Sequence, residues 1–287
     1  GVVNRMHTHD LMWPSRPLPT VAFLGEEGDI GQGVGFDWLV PNPWDEAFTF
    51  AFQVENGEND ALLAGRRSND LAYLGRLAWH KQLTDEHELQ LGTSVLAGNA
   101  QNDERLSRRD DETLPSTLLG FDAFWRWRPV ENRDQTSFVV QTEWYLRNRE
   151  EAVDHTIILL GEPLVETTGE FRVDDAGEVL REDPTEFTFT KFDDRQRYGF
   201  FVAPQYQFLR NYYVGAKYDY LSNDQGKDLA DFGWRVGGYF SFYTSEFLRF
   251  RIGYEHEENS GFVNDAVLFQ ATWVFGSHPV EPYWVNK

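Results

Sequence analysis

The chain has 287 residues, of which 47 are acidic and 26 are basic, so its formal net charge is −21. A chain this acidic is a poor nucleic-acid binder, because phosphate contacts need basic side chains. The absence of cysteine excludes disulfides, cysteine-ligated zinc, iron–sulfur clusters and a thiol nucleophile. Aromatic residues make up 16% of the chain, although the mean hydropathy is only −0.54. This combination is typical of a soluble all-β protein or of an outer-membrane β-barrel.

Alternation of apolar and polar residues predicts eleven strands. In 136–148, Val140, Trp144 and Leu146 alternate with Gln141 and Glu143. The predicted strands are 31–40, 47–56, 70–81, 87–98, 117–129, 136–148, 196–209, 211–221, 232–243, 247–257 and 266–276. Most exceed the average soluble strand of about 5–6 residues and match a tilted membrane-spanning strand of about 9–11 residues.

Short and long connections alternate along the chain, as periplasmic turns and extracellular loops do in outer-membrane barrels. The longest predicted loop, 149–195, contains 14 acidic and 5 basic residues. The pattern predicts an all-β fold, a transmembrane antiparallel up-and-down β-barrel. Since bacterial single-chain barrels have even strand numbers, we expect the eleven strands to belong to a total of 14–16. Residues 1–30 are predicted to be an extracellular segment that follows a missing strand, and 31–287 to hold the barrel strands.

Several motifs resemble one group of large outer-membrane barrels. They are Asn4–Asp10 (NRMHTHD), Arg16–Leu18 (RPL), Phe23–Gly28 (FLGEEG), Gln53–Gly57 (QVENG), Phe124–Pro129 (FWRWRP), Gln141–Trp144 (QTEW) and Phe275–Pro279 (FGSHP). In this order they resemble porin-like proteins that are often labelled zinc-regulated or TonB-linked outer-membrane proteins. The resemblance implies a porin-like barrel with a longer N-terminal part. The acidic loop 149–195 and the extension 280–287 depart from that pattern.

Charged residues on the polar face of the predicted strands are candidates for lining a pore. They are Arg76, Glu88, Asp122, Arg126, Arg128, Glu143, Arg147, Lys217, Asp219, Arg235, Arg249, Arg251 and Glu255. One interpretation is a water-filled channel whose transverse field orients polar solutes. The alternative is a lattice of cross-strand ion pairs that only satisfies buried charges.

His7, His9 and Asp10 are weak candidates for a metal site. Side chains two residues apart in an extended segment point the same way and could share one zinc ion. The alternative is a polar loop with incidental histidines. The acidic pairs at 174–175 and 193–194 could hold calcium weakly, but they lack the spacing of a calcium loop. No other cofactor is predicted.

The sequence contains no motif of a hydrolase, zinc protease or phosphate-binding loop. His80 and His256 are placed on the inner face without a recognisable nucleophile, so the chain is not expected to be an enzyme. The expected function is a porin-like channel in the outer membrane of a Gram-negative bacterium, for passive diffusion of small hydrophilic solutes or ions.

The alternative is a structural or docking barrel whose lumen or loops hold a partner protein, and a soluble all-β binding protein is a third interpretation. Expected partners are outer-membrane lipid, lipopolysaccharide, small solutes and either a homotrimer or another envelope protein. Nucleic acid is not among them.

Overall fold

The computed structural model describes residues 11–26, 28, 31–44, 46–57, 62–63, 71–100, 114–159, 185–222, 233–245, 247–259 and 262–273. Within these ranges, the side chains of residues 100 and 150–193 are not described. The chain divides into two compact units, which are Gly1–Arg149 with Arg195–Lys287, and Glu150–Asp194.

Helix α1 spans Leu18–Leu24, and strands follow it along the chain. They are β1 (Gly33–Val40), β2 (Ala47–Glu55), β3 (Ala72–Gln82), β4 (His87–Ala100), β5 (Leu114–Trp127), β6 (Ser137–Leu159), β7 (Thr185–Leu209), β8 (Tyr212–Leu221), β9 (Gly233–Ser245), β10 (Leu248–Asn259) and β11 (Phe262–Trp273). No helix in the described part of the chain is long and apolar enough to cross a membrane.

The strands form one sheet in which each strand pairs with the next, from β1 to β11. The predicted fold class is confirmed: the protein is all-β, and its antiparallel strands follow the up-and-down order of a transmembrane β-barrel. All eleven predicted strands are present, and their ends mostly differ by a few residues. The total of 14–16 strands stays a prediction.

The predicted loop 149–195 is corrected in part. Strand β6 continues to Leu159 and β7 begins at Thr185, so both strands extend into the unit Glu150–Asp194. Phe187 and Phe189 alternate with threonines in the sequence, which is the signal of a strand. The acidic composition of the segment concealed this local alternation.

The two faces of the sheet differ sharply in chemistry. In β6, Gln141, Glu143 and Arg147 are buried, whereas Trp144 is 51% exposed. In β10, Arg251 is 1% exposed, whereas Ile252 is 51% exposed. We call the face with the buried polar residues the inner face and the apolar, exposed one the outer face. Aromatic rings on the outer face stack across strands, as Trp144 and Phe200 do at 4.6 Å between ring centroids.

An inner segment, Leu11–Leu24, lies against the inner face. We call the end of the sheet with the short connections the turn end and the opposite end the loop end. Leu11, Met12 and Trp13 pack on Phe124 and Val139 near the turn end. Phe23 and Leu24 pack in a second cluster near the loop end, which includes Leu62, Leu63, Ala72, Leu96, Leu118, Tyr145 and Leu221. The inner segment therefore runs along the inner face from the turn end to the loop end.

Prolines and glycines shape this packing. Pro14, Pro17 and Pro19 restrict φ and lack the N–H donor that a strand pairing would use. Helix α1 starts directly after Pro17 and ends at Gly25, whose φ of 83° favours glycine. The described part of the predicted extracellular segment 1–30 is thus mostly buried on the inner face. Its side of the membrane stays a prediction.

Candidate functional site

Arg251 fixes the start of the inner segment. Its Nη2 donates to the Leu11 carbonyl at 2.7 Å, and Nη1 donates to the Trp13 carbonyl at 2.8 Å. Nε donates to the Ser241 hydroxyl at 3.1 Å, and Nη1 also reaches Gln270 Oε1 at 3.0 Å. All of these acceptors are neutral oxygens. Arg251 therefore recognises the main chain of the inner segment, regardless of its side chains.

Lys217 holds the next part of the inner segment. Its Nζ donates to the Ser15 carbonyl at 3.1 Å and to the Ser15 hydroxyl at 2.6 Å. The same hydroxyl donates to Glu255 Oε1 at 2.5 Å, and Lys217 is 3.1 Å from that oxygen. Lys217 is 1% exposed, and a buried charge needs a partner of opposite sign. Glu255 and Asp219 balance it, with Asp219 Oδ2 lying 3.4 Å from Lys217 Nζ.

Arg235 and Asp219 hold the segment at the start of α1. Arg235 donates to the Arg16 carbonyl through Nη2 and to Asp219 Oδ2 through Nε at 2.9 Å. Asp219 Oδ2 also accepts the Leu18 N–H at 3.3 Å. This carboxylate therefore satisfies one of the N–H groups that the first turn of a helix leaves unpaired.

These contacts follow the register of the sheet. Arg251 pairs with Ser241, Lys217 with Gly237, and Asp219 with Arg235, each level lying further from the turn end. The inner segment meets these levels in chain order, from Leu11 to Leu18. The inner face of β8–β10 thus binds the inner segment from Leu11 to Leu18, and its donors match a segment in which three residues are prolines.

A second ion-pair network crosses β4. Arg76 on β3 forms a bidentate pair with Asp122 on β5, in which Nη2 and Oδ2 are 2.8 Å apart. The intervening residue on β4 is Gly92, where an added Cβ would lie 2.5 Å from both side chains. The absence of a side chain at Gly92 therefore leaves room for the pair.

Tyr145 links the inner segment to the sheet near its loop end. The Tyr145 hydroxyl donates to Glu143 and lies 3.2 Å from Thr20 Oγ1. Because Thr20 belongs to α1, this contact anchors the helix on β6 beside the second apolar cluster.

The turn end carries partly exposed charges. Glu88 lies 2.8 Å from His80 Nε2 and accepts a hydrogen bond from Arg126. Arg128 follows the end of β5 and donates its backbone N–H to the Glu86 carbonyl at 2.8 Å. These side chains are the part of the predicted pore lining that water can reach.

Two turn glutamates hold tryptophans of neighbouring strands. Glu46 accepts from Lys81 and from Trp79 Nε1 at 2.7 Å, and these hydrogen bonds lower the pKa of Glu46. Glu86 accepts from the Val130 N–H at 3.0 Å and from Trp127 Nε1 at 3.4 Å. These two contacts lower the pKa of Glu86.

The structure brings the predicted pore-lining residues together on one face. Ten of them are buried there, and three are partly exposed at the turn end. The buried ones are Arg76, Asp122, Glu143, Arg147, Lys217, Asp219, Arg235, Arg249, Arg251 and Glu255. The others are Glu88, Arg126 and Arg128. Their role in lining a pore stays a prediction.

The histidine and metal predictions have different outcomes. His80 is on the inner face, as expected, but His256 is on the outer face beside Trp234, because the adjacent Glu255 faces inward. His7, His9, Asp10 and the acidic pair 174–175 lie outside the described residues. Among the residues that the structure does describe, three or more metal-ligating side chains come together nowhere.

Sequence reasoning missed Ser15 and the main-chain carbonyls of the inner segment. Their contacts join residues more than 200 positions apart, for which no local pattern exists. The one available signal was the set of prolines between Trp13 and Thr20, which marks an extended segment without strand pairing.

The fold and the site define an up-and-down antiparallel β-protein with a charged inner face occupied by its own chain. Neither a family model nor a curated protein matches the sequence. The chain is similar to the crystal structure of the Pseudomonas putida toluene transporter TodX, with a TM-score of 0.36 and 8% identity, over 85% of this chain and 73% of that one. A TM-score of this size does not itself assign a fold, which here follows from the strand order.

Proposed function

We propose that the chain is part of an outer-membrane β-barrel that lets small hydrophilic solutes or ions diffuse through a charged lumen narrowed by the inner segment. The observation that carries the proposal is the inverted distribution of residues. Charged side chains are buried on the inner face, whereas large apolar side chains are exposed on the outer face. A water-soluble protein hides its apolar face, while a barrel in lipid exposes it.

The aromatic side chains support a membrane position for the outer face. Near the turn end, Trp38, Trp44 and Phe247 are exposed, and near the loop end Tyr198 and Tyr254 are exposed. Tryptophan and tyrosine concentrate at the two membrane–water interfaces of barrels. Aliphatic and phenylalanine side chains such as Leu119 and Phe121 lie between these two levels.

The inner segment limits what such a lumen could pass. It covers the inner face of β8–β10 and part of β5–β7, and it also packs against Ala72 on β3 and Leu96 on β4. The charges beneath it on β8–β10 are paired with each other or with its main chain. The proposal therefore assigns transport to a narrow passage and assigns the chain no catalytic reaction.

Conductance measurements in a planar bilayer test the proposed channel. The complete protein, refolded and inserted into a planar bilayer, is expected to give conductance steps of constant size, with a reversal potential under a salt gradient. The control is the same preparation after heat denaturation. Folded, heat-modifiable protein that inserts and gives no steps would refute the channel.

A second candidate is a structural or docking barrel, which the inner segment specifically favours. An inner face that already holds a segment of its own chain through main-chain contacts has the chemistry to hold a protein segment. This candidate predicts a folded, inserted and non-conducting protein. Lipopolysaccharide, a homotrimer and another envelope protein remain proposed partners, and the zinc-regulated or TonB-linked resemblance remains a proposal about the family.

A further inference from the structure

The inner face is not covered evenly. From β5 to β10, alternate residues are buried among the side chains that the structure describes, and the inner segment packs on part of this surface. On β1–β4 several polar inner-face residues keep contact with water instead. We call these residues the open strip: Asp37 on β1, Thr49 and Gln53 on β2, His80 on β3 and Gln90 on β4.

The register places the open strip on one face of neighbouring strands. Thr49 pairs with Leu39 and Ala78, Gln53 lies four residues further along β2 and pairs with Gly35, and His80 pairs with Gln90. Asp37 pairs with Ala51, which lies between Thr49 and Gln53 and is buried. Paired residues in antiparallel strands share a face, and residues two apart do so as well. The open strip therefore runs from the partly exposed charges at the turn end, by way of Asp37 on β1, to the Gln53 level of β2.

We propose that the open strip, rather than the buried arginine cluster, is the path of small hydrophilic solutes; this rests on the proposed channel function. Buried arginines such as Arg251 are surrounded by oxygen acceptors and the inner segment, so a passing solute cannot reach them. The path runs along the side of the lumen that the inner segment leaves free.

Cysteine accessibility tests the path, because the chain contains no cysteine of its own. Thr49→Cys and Gln90→Cys are made singly in the full chain, with Val139→Cys and Ala203→Cys as controls buried under the inner segment. Inserted channels are treated with a bulky, water-soluble methanethiosulfonate reagent. Modification of the open-strip cysteines is expected to lower conductance at least two-fold, while the control cysteines stay unmodified and conduct as before.

The outcomes separate the two proposals. A wild-type protein that does not conduct refutes the channel function and this inference with it. A conducting wild type whose open-strip variants keep full conductance after complete labelling, measured by mass, refutes the path alone. Faster labelling of the buried control cysteines than of the open-strip cysteines would also refute the path alone.

Discussion

Arg251 illustrates how a single buried cation can fix a chain without a carboxylate partner. Its guanidinium has five donors, and its contacts distribute them over the carbonyls of Leu11 and Trp13 and over two side-chain oxygens. Hydrogen bonds that involve a charged group contribute about 1.5–3 kcal/mol each. A lysine at this position could not serve this fork of acceptors, so the guanidinium geometry matters as much as its charge.

The absence of a side chain at Gly199 leaves room for the inner segment where it contacts the sheet. At Gly199 an added Cβ would lie 2.7 Å from Pro19 Cβ and 2.9 Å from the Tyr220 carbonyl oxygen. Neither neighbour is the end of a flexible side chain, so backbone must shift. Overpacking of this kind costs about 1–3 kcal/mol.

We therefore expect Gly199→Ala to lower the free energy of unfolding by about that amount. Gly75→Ala is the matched control, because its nearest neighbour, Val95 Cγ1, would lie 3.5 Å from the new Cβ. Urea unfolding monitored by tryptophan fluorescence in the same detergent measures both variants. Equal stability of the two variants would show that Pro19 does not pack tightly on β7.

At the scale of elements, the inner segment is anchored by its apolar ends. Leu11, Met12, Trp13, Phe23 and Leu24 are almost fully buried. Exposing each would cost about 1.5–3 kcal/mol, and the sum is comparable to the total stability of a domain. The segment is therefore expected to stay in place, and in the proposed channel it would be a fixed constriction.

The strands could be predicted from the sequence, whereas the inner segment could not. Alternation in β6 and β10 predicted which residues face inward and which outward, because a period of two repeats over more than ten residues. His256 on β10 is the exception, since it was expected on the inner face and lies on the outer one. Helix α1 has seven residues, too few for a helical period, and its packing partners lie on distant strands. Thus local pattern determined the strands and their faces, while tertiary contacts determined what covers the inner face.

The short turns provide a pH-dependent prediction at this scale. The pKa of Glu86 is lowered by hydrogen bonds from Val130 and Trp127, so its carboxylate stabilises the docking of the two turns. A lowered folded-state pKa means that this stabilisation is present above the ordinary value of 4.5 and is lost as the pH falls through the folded-state value. Glu86→Gln is therefore expected to lose less stability than the wild type between pH 6 and pH 3.

The measurement is the unfolding midpoint at each pH, with tryptophan fluorescence as the signal. Glu131→Gln is the control, since Glu131 is an exposed residue of the following turn. If Glu86→Gln and the wild type lose stability in parallel over this range, the Glu86 carboxylate does not hold the turns together.

At the scale of the whole molecule, the outer face decides between a membrane barrel and a soluble protein. Large apolar side chains are exposed along most of the strands, including Phe121 and Trp144 on adjacent strands and Phe269 on β11. A soluble monomer rarely exposes contiguous apolar patches of more than a few hundred Å². This outer surface is stable in contact with lipid. The charged side chains of the inner face are then kept away from the lipid.

This argument predicts a depth-dependent cost for charge on the outer face. Phe121 is 57% exposed in the middle of β5, so Phe121→Arg is expected to cost about 2–4 kcal/mol on folding into lipid vesicles, the cost of arginine at a bilayer midplane. Trp44 is 68% exposed in the turn before β2, so Trp44→Arg is expected to cost no more than about 1 kcal/mol, as near an interface. Urea titration of folding into vesicles measures both. A small and equal cost at the two positions would mean that the outer face does not contact the hydrocarbon core, and the membrane assignment would then be wrong.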